Sequence, residues 1–359
     1  MSELEKYDPN FKTSMASERK DGKDFYTIPN SNFDLYGIFY DEKNKCFCRM
    51  PADATALVSP GVSWLSTHTA GGRVRFSTDA TLMEIYVAYD RFEPHNHMPL
   101  SCSAGFVLIE EGEGRNFHIE SMRPTLAGQK GFTGAATLRG GKMRDYILYF
   151  PTYNRVTELK IAFNEGAKIQ GGKKYRDIKP ILYYGSSITQ GGCASRPDNA
   201  YQAHISKWNN IDYINLGFSG SAKAEDGMVD YLASIDCSLL VCDYDHNAPS
   251  VEYLKSTHYR LYERYRASQP NTPILFLSRP DFDVNPAESK ARETVIKSTY
   301  QKARGNGDKN VYFLAGRTFY GKENRENFSV DGCHPNDLGF YYMAKGIYKK
   351  MKHIDDCFQ

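Results

Sequence analysis

A switch of hydrophobic pattern near residue 170 restricts the possible folds of this chain more than any other feature. From about residue 24 to 162, short apolar runs rich in aromatic and β-branched residues (72–76, 83–89, 105–109 and 145–150) are broken by Gly, Pro, Asn and Asp. Strands of that length and spacing predict an all-β sandwich. After a polar, glycine-containing stretch at 166–177, apolar runs at 181–184, 213–216, 239–242, 274–277 and 311–314 alternate with helical segments near 199–209, 223–235, 249–268, 286–304 and 337–352. Strand and helix in alternation predict a parallel sheet covered on both faces. The expected organisation is an extension over 1–23, a β-sandwich over 24–177 and an α/β domain over 178–359. At 359 residues, 41% hydrophobic and 13% aromatic, the chain has material for two cores.

Charge narrows the partners. The 45 basic and 43 acidic residues nearly cancel, and no basic block is interleaved with aromatics. A nucleic-acid or anionic-membrane footprint is therefore missing, and a small molecule or neutral oligosaccharide is the expected partner, with a homo-oligomer left open. The stretch from Met1 to Pro9 has no apolar run of the kind an export signal needs, so a cytoplasmic location is expected. Eight cysteines (46, 48, 102, 193, 237, 242, 333 and 357) are scattered without C-x-x-C pairs. They read as reduced thiols, with neither a disulfide framework nor a metal site, and no cofactor is expected.

Ligands of open α/β sheets bind outside the carboxyl ends of the strands. One such end carries the turn Gly185-Ser186-Ser187-Ile188-Thr189-Gln190-Gly191. A hydroxyl there is a weak nucleophile until a base removes its proton. Asp331-Gly332-Cys333-His334-Pro335, near the far end of the chain, supplies a base and a carboxylate. The turn lacks both the Gly-Lys-Ser/Thr of a phosphate loop and a dinucleotide fingerprint. Taken singly, Ser187 reads as a turn serine and Asp331-x-x-His334 as a loop pair.

Together and in this order, the pieces resemble the SGNH, or GDSL-like, hydrolase family, in the form of two-domain carbohydrate acetyl esterases. Gly185-Ser186-Ser187-Ile188 matches the nucleophile block with serine in place of aspartate at its second position. Asn215-Leu216-Gly217-Phe218-Ser219-Gly220 resembles the second block, and Leu240 to Asn247 the third, with His246 where the family has glycine. Asp331-x-x-His334-Pro335 fits the last block. The resemblance implies a flavodoxin-like parallel sheet, Ser187 as nucleophile, His334 as base and Asp331 as its orienter. It also implies an oxyanion hole made of the Ser187 and Gly220 N–H groups and the Asn247 side-chain amide. In the first half, Arg49-Met50-Pro51, Val62-Ser63-Trp64-Leu65-Ser66 and Gly72-Arg73-Val74-Arg75-Phe76 resemble the jelly-roll-like accessory domain that precedes such hydrolases. Its Gly-x-Asp-Leu-Tyr signature is reduced here to Gly105-Phe106-Val107-Leu108-Ile109.

The implied function is a serine esterase that deacetylates carbohydrate, with mannan-type oligosaccharides as first choice. A thioesterase or lipase-like enzyme, and an inert carbohydrate-binding protein, stand as alternatives. His246 and Cys333 are candidates to line the substrate, though His246 reads equally as a structural histidine and Cys333 more readily as a packing residue near the site. Cys193 reads as packing near the site, and His95-Asn96-His97 as a solvated or substrate-edge loop.

Overall fold

The computed structural model describes residues 16–126 and 130–358. Its first half contains strands β1 (Glu18–Lys20), β2 (Lys23–Thr27), β3 (Asp34–Tyr36), β4 (Phe39–Asp41) and β5 (Cys46–Cys48). Two short helices, α1 (Ala52–Ala56) and α2 (Pro60–Leu65), follow, then β6 (Arg73–Thr78), β7 (Leu82–Tyr89) and the one-turn α3 (Leu100–Ser103). Strands β8 (Phe106–Glu111), β9 (Asn116–Met122), β10 (Gly131–Thr137), β11 (Arg144–Tyr149), β12 (Val156–Asn164) and β13 (Ile169–Gly171) complete it. One antiparallel sheet has the order β1-β2-β12-β7-β10, and the second β13-β6-β11-β8-β9, with β3 beside β13 on the same edge of β6. Within the stretch expected as an extension, β1 pairs with β2 as the edge of the first sheet.

The two sheets enclose a core that includes Val74, Phe76, Ile85, Val87, Leu108, Tyr146, Leu148 and Phe163. In β7 burial alternates, with Met83, Ile85, Val87 and Tyr89 inward, the period-2 pattern of a strand with one wet face. Strand β8 is different: Phe106 to Glu110 are all buried. Its even residues face the sandwich core, while Val107 and Ile109, joined by Ile147 and Tyr149 of β11, belong to a second core shared with the other half.

That half contains β14 (Ile181–Gly185), α4 (Ser187–Gln190), α5 (Tyr201–Asn209), β15 (Tyr213–Gly217), α6 (Asp226–Ser234) and β16 (Leu239–Asp243). It continues with α7 (Val251–Ser268), β17 (Ile274–Leu277), α8 (Pro286–Gly305), β18 (Val311–Leu314) and α9 (Asp337–Met351). The parallel sheet has the order β15-β14-β16-β17-β18. This is the flavodoxin-like order 2-1-3-4-5, whose switch point, between β14 and β16, is where such sheets bind ligands. Along β14, Ile181 and Tyr183 face the shared core beside α5 and α9, while Leu182 and Tyr184 face α6 and α7. Helix α7 buries Leu254, His258, Leu261 and Tyr265, the spacing of one helical face, and its Ser250 N-cap accepts from the Tyr253 N–H. Among the described residues no helix is long and apolar enough to cross a membrane, and all eight cysteines are free.

Arginines of the sandwich reinforce the joint between halves. Arg73 and Arg75, alternate residues of β6 and fully buried, reach the Tyr213 carbonyl (3.1 Å) and Asn210 Oδ1 (3.0 Å). Arg49 donates to the carbonyls of Leu65 (2.6 Å) and His68 (2.7 Å) on its own side and of Asn215 (3.0 Å) and Gly217 (2.7 Å) across the joint. Arg49→Met would strand these carbonyls where water does not reach, and is expected to cost about 3 kcal/mol or more. A denaturant midpoint unchanged from wild type would show that Arg49 is not structural in this way.

Candidate active site

Strand β14 runs between β15 and β16 with Gly185 opposite both Gly217 and Asp243. Residues just past these three strand ends therefore converge at one edge of the sheet. A Cβ on Gly185 would stand 2.2 Å from Thr189 Oγ1 and 2.4 Å from the Asp243 carbonyl, and one on Gly217 would stand 2.1 Å from the Gln190 nitrogen. Only glycine allows the turn to pack this closely. Ser186 is the N-cap of α4, its Oγ accepting from the Ile188 N–H at 3.2 Å. Ser187 is the first helical residue, and the turn closes at once because Gly191 takes φ +100°. The two neighbouring serines thus differ: Ser186 is committed to the cap, whereas Ser187 Oγ lies 2.8 Å from His334 Nε2.

The loop before α9 holds His334. Gly332, at φ +83°, donates its N–H to Ser329 Oγ, and the Val330 N–H bonds the His334 carbonyl. Asp331 Oδ1 accepts from the N–H groups of Cys333 (3.0 Å) and His334 (2.8 Å), while Oδ2 lies 2.7 Å from His334 Nδ1. Partial burial acts to raise the Asp331 pKa, but these hydrogen bonds outweigh it and lower the value to about 2. Asp331 is thus an ionised acceptor above that pH, which places the imidazole proton on Nδ1 and leaves the Nε2 lone pair facing Ser187.

Gly220 lies three residues beyond β15 at φ +68°, and a Cβ there would meet no atom within 4 Å. Asn247 lies four residues beyond β16 in a short 3₁₀ turn, Asp245–Asn247. Its Oδ1 accepts from the Ala222 N–H at 3.2 Å, which fixes Nδ2 as the donor end of the amide. Two side chains not singled out in the sequence hold these pieces. Gln190 accepts from the Ser219 N–H (2.9 Å) and donates to the Thr152 carbonyl of the sandwich (3.0 Å). Buried Arg292 donates to the carbonyls of Asp245 and Ala248, clasping the turn that carries Asn247. A lone Gln in a small-residue turn and an Arg on a helix carry no local signal of either contact.

His246 faces carboxylates. Its Nε2 lies 2.7 Å from Asp281 Oδ1 and its Nδ1 3.3 Å from Asp245 Oδ1. Burial acts to lower its pKa, but the two carboxylates overcome this and raise it well above the ordinary value. Half-buried Cys333 lies near this pair and lines a cleft of 440 Å³ with Asp281, Val284 and Arg325. From the sandwich side, the loop after β7 brings the His97 ring to 5.7 Å from that of His334, and Tyr153 donates to the Ser187 carbonyl at 3.3 Å. Both halves therefore wall the site. A larger groove of 840 Å³ runs between α7 and α8, lined by neither Ser187 nor His334.

Residues 178–352 match the GDSL-like lipase/acylhydrolase family, and residues 23–169 match the N-terminus of SGNH-hydrolase-type esterases. A solved structure from Bacteroides ovatus ATCC 8483, provisionally assigned as a GDSL-like lipase, shares 26% identity at a TM-score of 0.83, over 92% of this chain and 98% of the other. The salicylyl-acyltransferase SsfX3 of a tetracycline pathway shares 17% identity at a TM-score of 0.74, over 94% and 98%. A family two carbohydrate esterase from Clostridium thermocellum, solved with cellohexaose, shares 13% at 0.59, over 89% and 98%. The last two show the fold. No curated protein matches the chain.

Proposed function

We propose, for a chain that belongs to the GDSL-like lipase/acylhydrolase family and carries the N-terminal domain of SGNH-hydrolase-type esterases, that it is a serine esterase removing acetyl groups from carbohydrate hydroxyls. The observation that carries the proposal is the unbroken relay from Ser187 Oγ to His334 Nε2 (2.8 Å) and from His334 Nδ1 to Asp331 Oδ2 (2.7 Å). In the reaction, His334 takes the Ser187 proton as Oγ attacks the acetyl carbonyl. The oxyanion is met by the N–H groups of Ser187 and Gly220 and by Asn247 Nδ2, donors fixed before charge develops. His334 then protonates the departing sugar hydroxyl, and a water molecule activated by the same ring releases acetate from the acyl-enzyme.

The fold is shared with a carbohydrate esterase solved with cellohexaose and with an acetyl xylan esterase from Butyrivibrio proteoclasticus, the latter at 14% identity and a TM-score of 0.58. A net charge of +2 suits an uncharged substrate. Acetylated manno-oligosaccharides are the first choice, met in the cytoplasm after import. Sugar contacts that orient the ester would raise kcat/KM well above that for a bare acetyl ester. Mass spectrometry of acetylated manno- and xylo-oligosaccharides, an acyl thioester and a long-chain fatty ester tests this. Loss of acetyl mass from one oligosaccharide, faster than turnover of the last two, is expected. Fastest turnover of the thioester or the fatty ester would replace the carbohydrate assignment, and no turnover at all would leave a binding protein.

A further inference from the structure

We propose that the mouth of this site is also an inhibitory site for a soft divalent cation of the zinc type, held by His334, His97 and Cys193. The inference rests on the reading of His334 as the catalytic base. One ligating atom from each of the three residues lies within 4.8 Å of the others. They come from three separate segments: the sandwich loop after β7, the turn after α4 and the loop before α9. The cluster therefore forms only when both halves are folded together.

Each imidazole is already set to ligate. Asp331 occupies Nδ1 of His334, leaving the Nε2 lone pair available. Asn96 Oδ1 lies 3.1 Å from Nδ1 of His97, which likewise favours a lone pair on Nε2. An oxygen acceptor behind the far ring nitrogen is what orients metal-binding histidines and raises their basicity. Cys193 supplies an independent sign. It is 4% exposed and takes φ +71°, a left-handed backbone that cysteine rarely adopts and that tends to persist at functional sites. In that conformation its Sγ lies 3.6 Å from the His97 carbonyl, joining two of the three ligand segments.

Two imidazole nitrogens and a thiolate, with water in the fourth position, suit tetrahedral Zn²⁺ and not Mg²⁺ or Ca²⁺, which take oxygen ligands. With Zn–N about 2.0–2.1 Å and Zn–S about 2.3 Å, tetrahedral ligands stand roughly 3.3–3.6 Å apart, so a modest rotation of the side chains closes the set. Binding displaces the Cys193 thiol proton to solvent and forms the Zn–S bond without any change of oxidation state. The cation takes the lone pair of His334 that accepts the Ser187 proton. Nε2 cannot serve both, so the loaded enzyme is inactive, and chelation restores activity.

The test titrates zinc chloride against ester hydrolysis by the wild-type chain. In parallel, Zn²⁺ binding to the Ser187→Ala chain is measured by competition with a chromophoric chelator. One ion per chain is expected, with binding and inhibition following the same concentration dependence, full recovery with EDTA and no effect of magnesium or calcium chloride. Cys193→Ser and His97→Gln should each weaken both binding and inhibition at least tenfold, whereas Cys333→Ser should leave both in place. Thermal unfolding of each variant verifies its fold, and His97→Gln carries the test if Cys193→Ser does not fold. No binding, activation by Zn²⁺, or inhibition that survives both substitutions would overturn the proposal, as would inhibition removed by Cys333→Ser instead. Zinc bound through these residues in a chain without esterase activity would sink the esterase reading and keep the site, while an active esterase indifferent to zinc would do the reverse.

Discussion

Ser187→Ala is expected to lower kcat for acetyl-ester hydrolysis by about four to six orders of magnitude while leaving thermal unfolding unchanged. Without Oγ there is no group for His334 to deprotonate, and no acyl-enzyme forms. The neighbouring serine is the internal control. Ser186 Oγ caps α4 through the Ile188 N–H, so Ser186→Ala should cost about 1 kcal/mol of stability and only a small part of the activity. If Ser186→Ala were inert and Ser187→Ala active, the nucleophile would be one residue earlier than the 2.8 Å contact to His334 implies.

Asn247→Ala should lower kcat about a hundred- to a thousand-fold with little change in KM, because the Nδ2 donor acts on charge that appears only as the tetrahedral intermediate forms. Alanine also removes the acceptor of the Ala222 N–H, so part of any effect could reflect a displaced loop. Asn247→Asp separates the two. It keeps an oxygen for Ala222 and replaces the donor with an acceptor, so it should fold like wild type and be at least as slow as the alanine variant. Unchanged kcat with raised KM in both variants would assign Asn247 to substrate binding instead.

What the sequence made legible follows from how local each signal is. The strand runs at 274–277 and 311–314 coincide with β17 and β18, and the helical stretches near 286–304 and 337–352 with α8 and α9, because apolar periodicity is written residue by residue. Helices α1, α2 and α3 interrupt a half that reads as strands throughout, since segments of four to six residues are too short to display a helical period. Contacts distant in sequence left no trace. Asp281 meets His246 from 35 residues away, and Arg49, though part of a motif, meets Gly217 from 168 residues away; no local pattern points to either partner. The motif order brought Ser187, Asp331 and His334 to notice, but Gln190 and Arg292, which hold the surrounding loops, became visible only in three dimensions.

The core shared by the two halves has a consequence for synthesis. A chain emerging from the ribosome presents β8 and β11 long before β14, α5 and α9 exist. Until those later elements arrive, Val107, Ile109, Ile147 and Tyr149 remain an uncovered apolar face, and α9, ending at Met351, is translated well after β11. The nascent sandwich is therefore sticky until α9 has been made, a state prone to aggregation and suited to chaperone capture. Slowed elongation beyond residue 178, or a stop codon before α9, would then diminish soluble yield out of proportion to the mass removed.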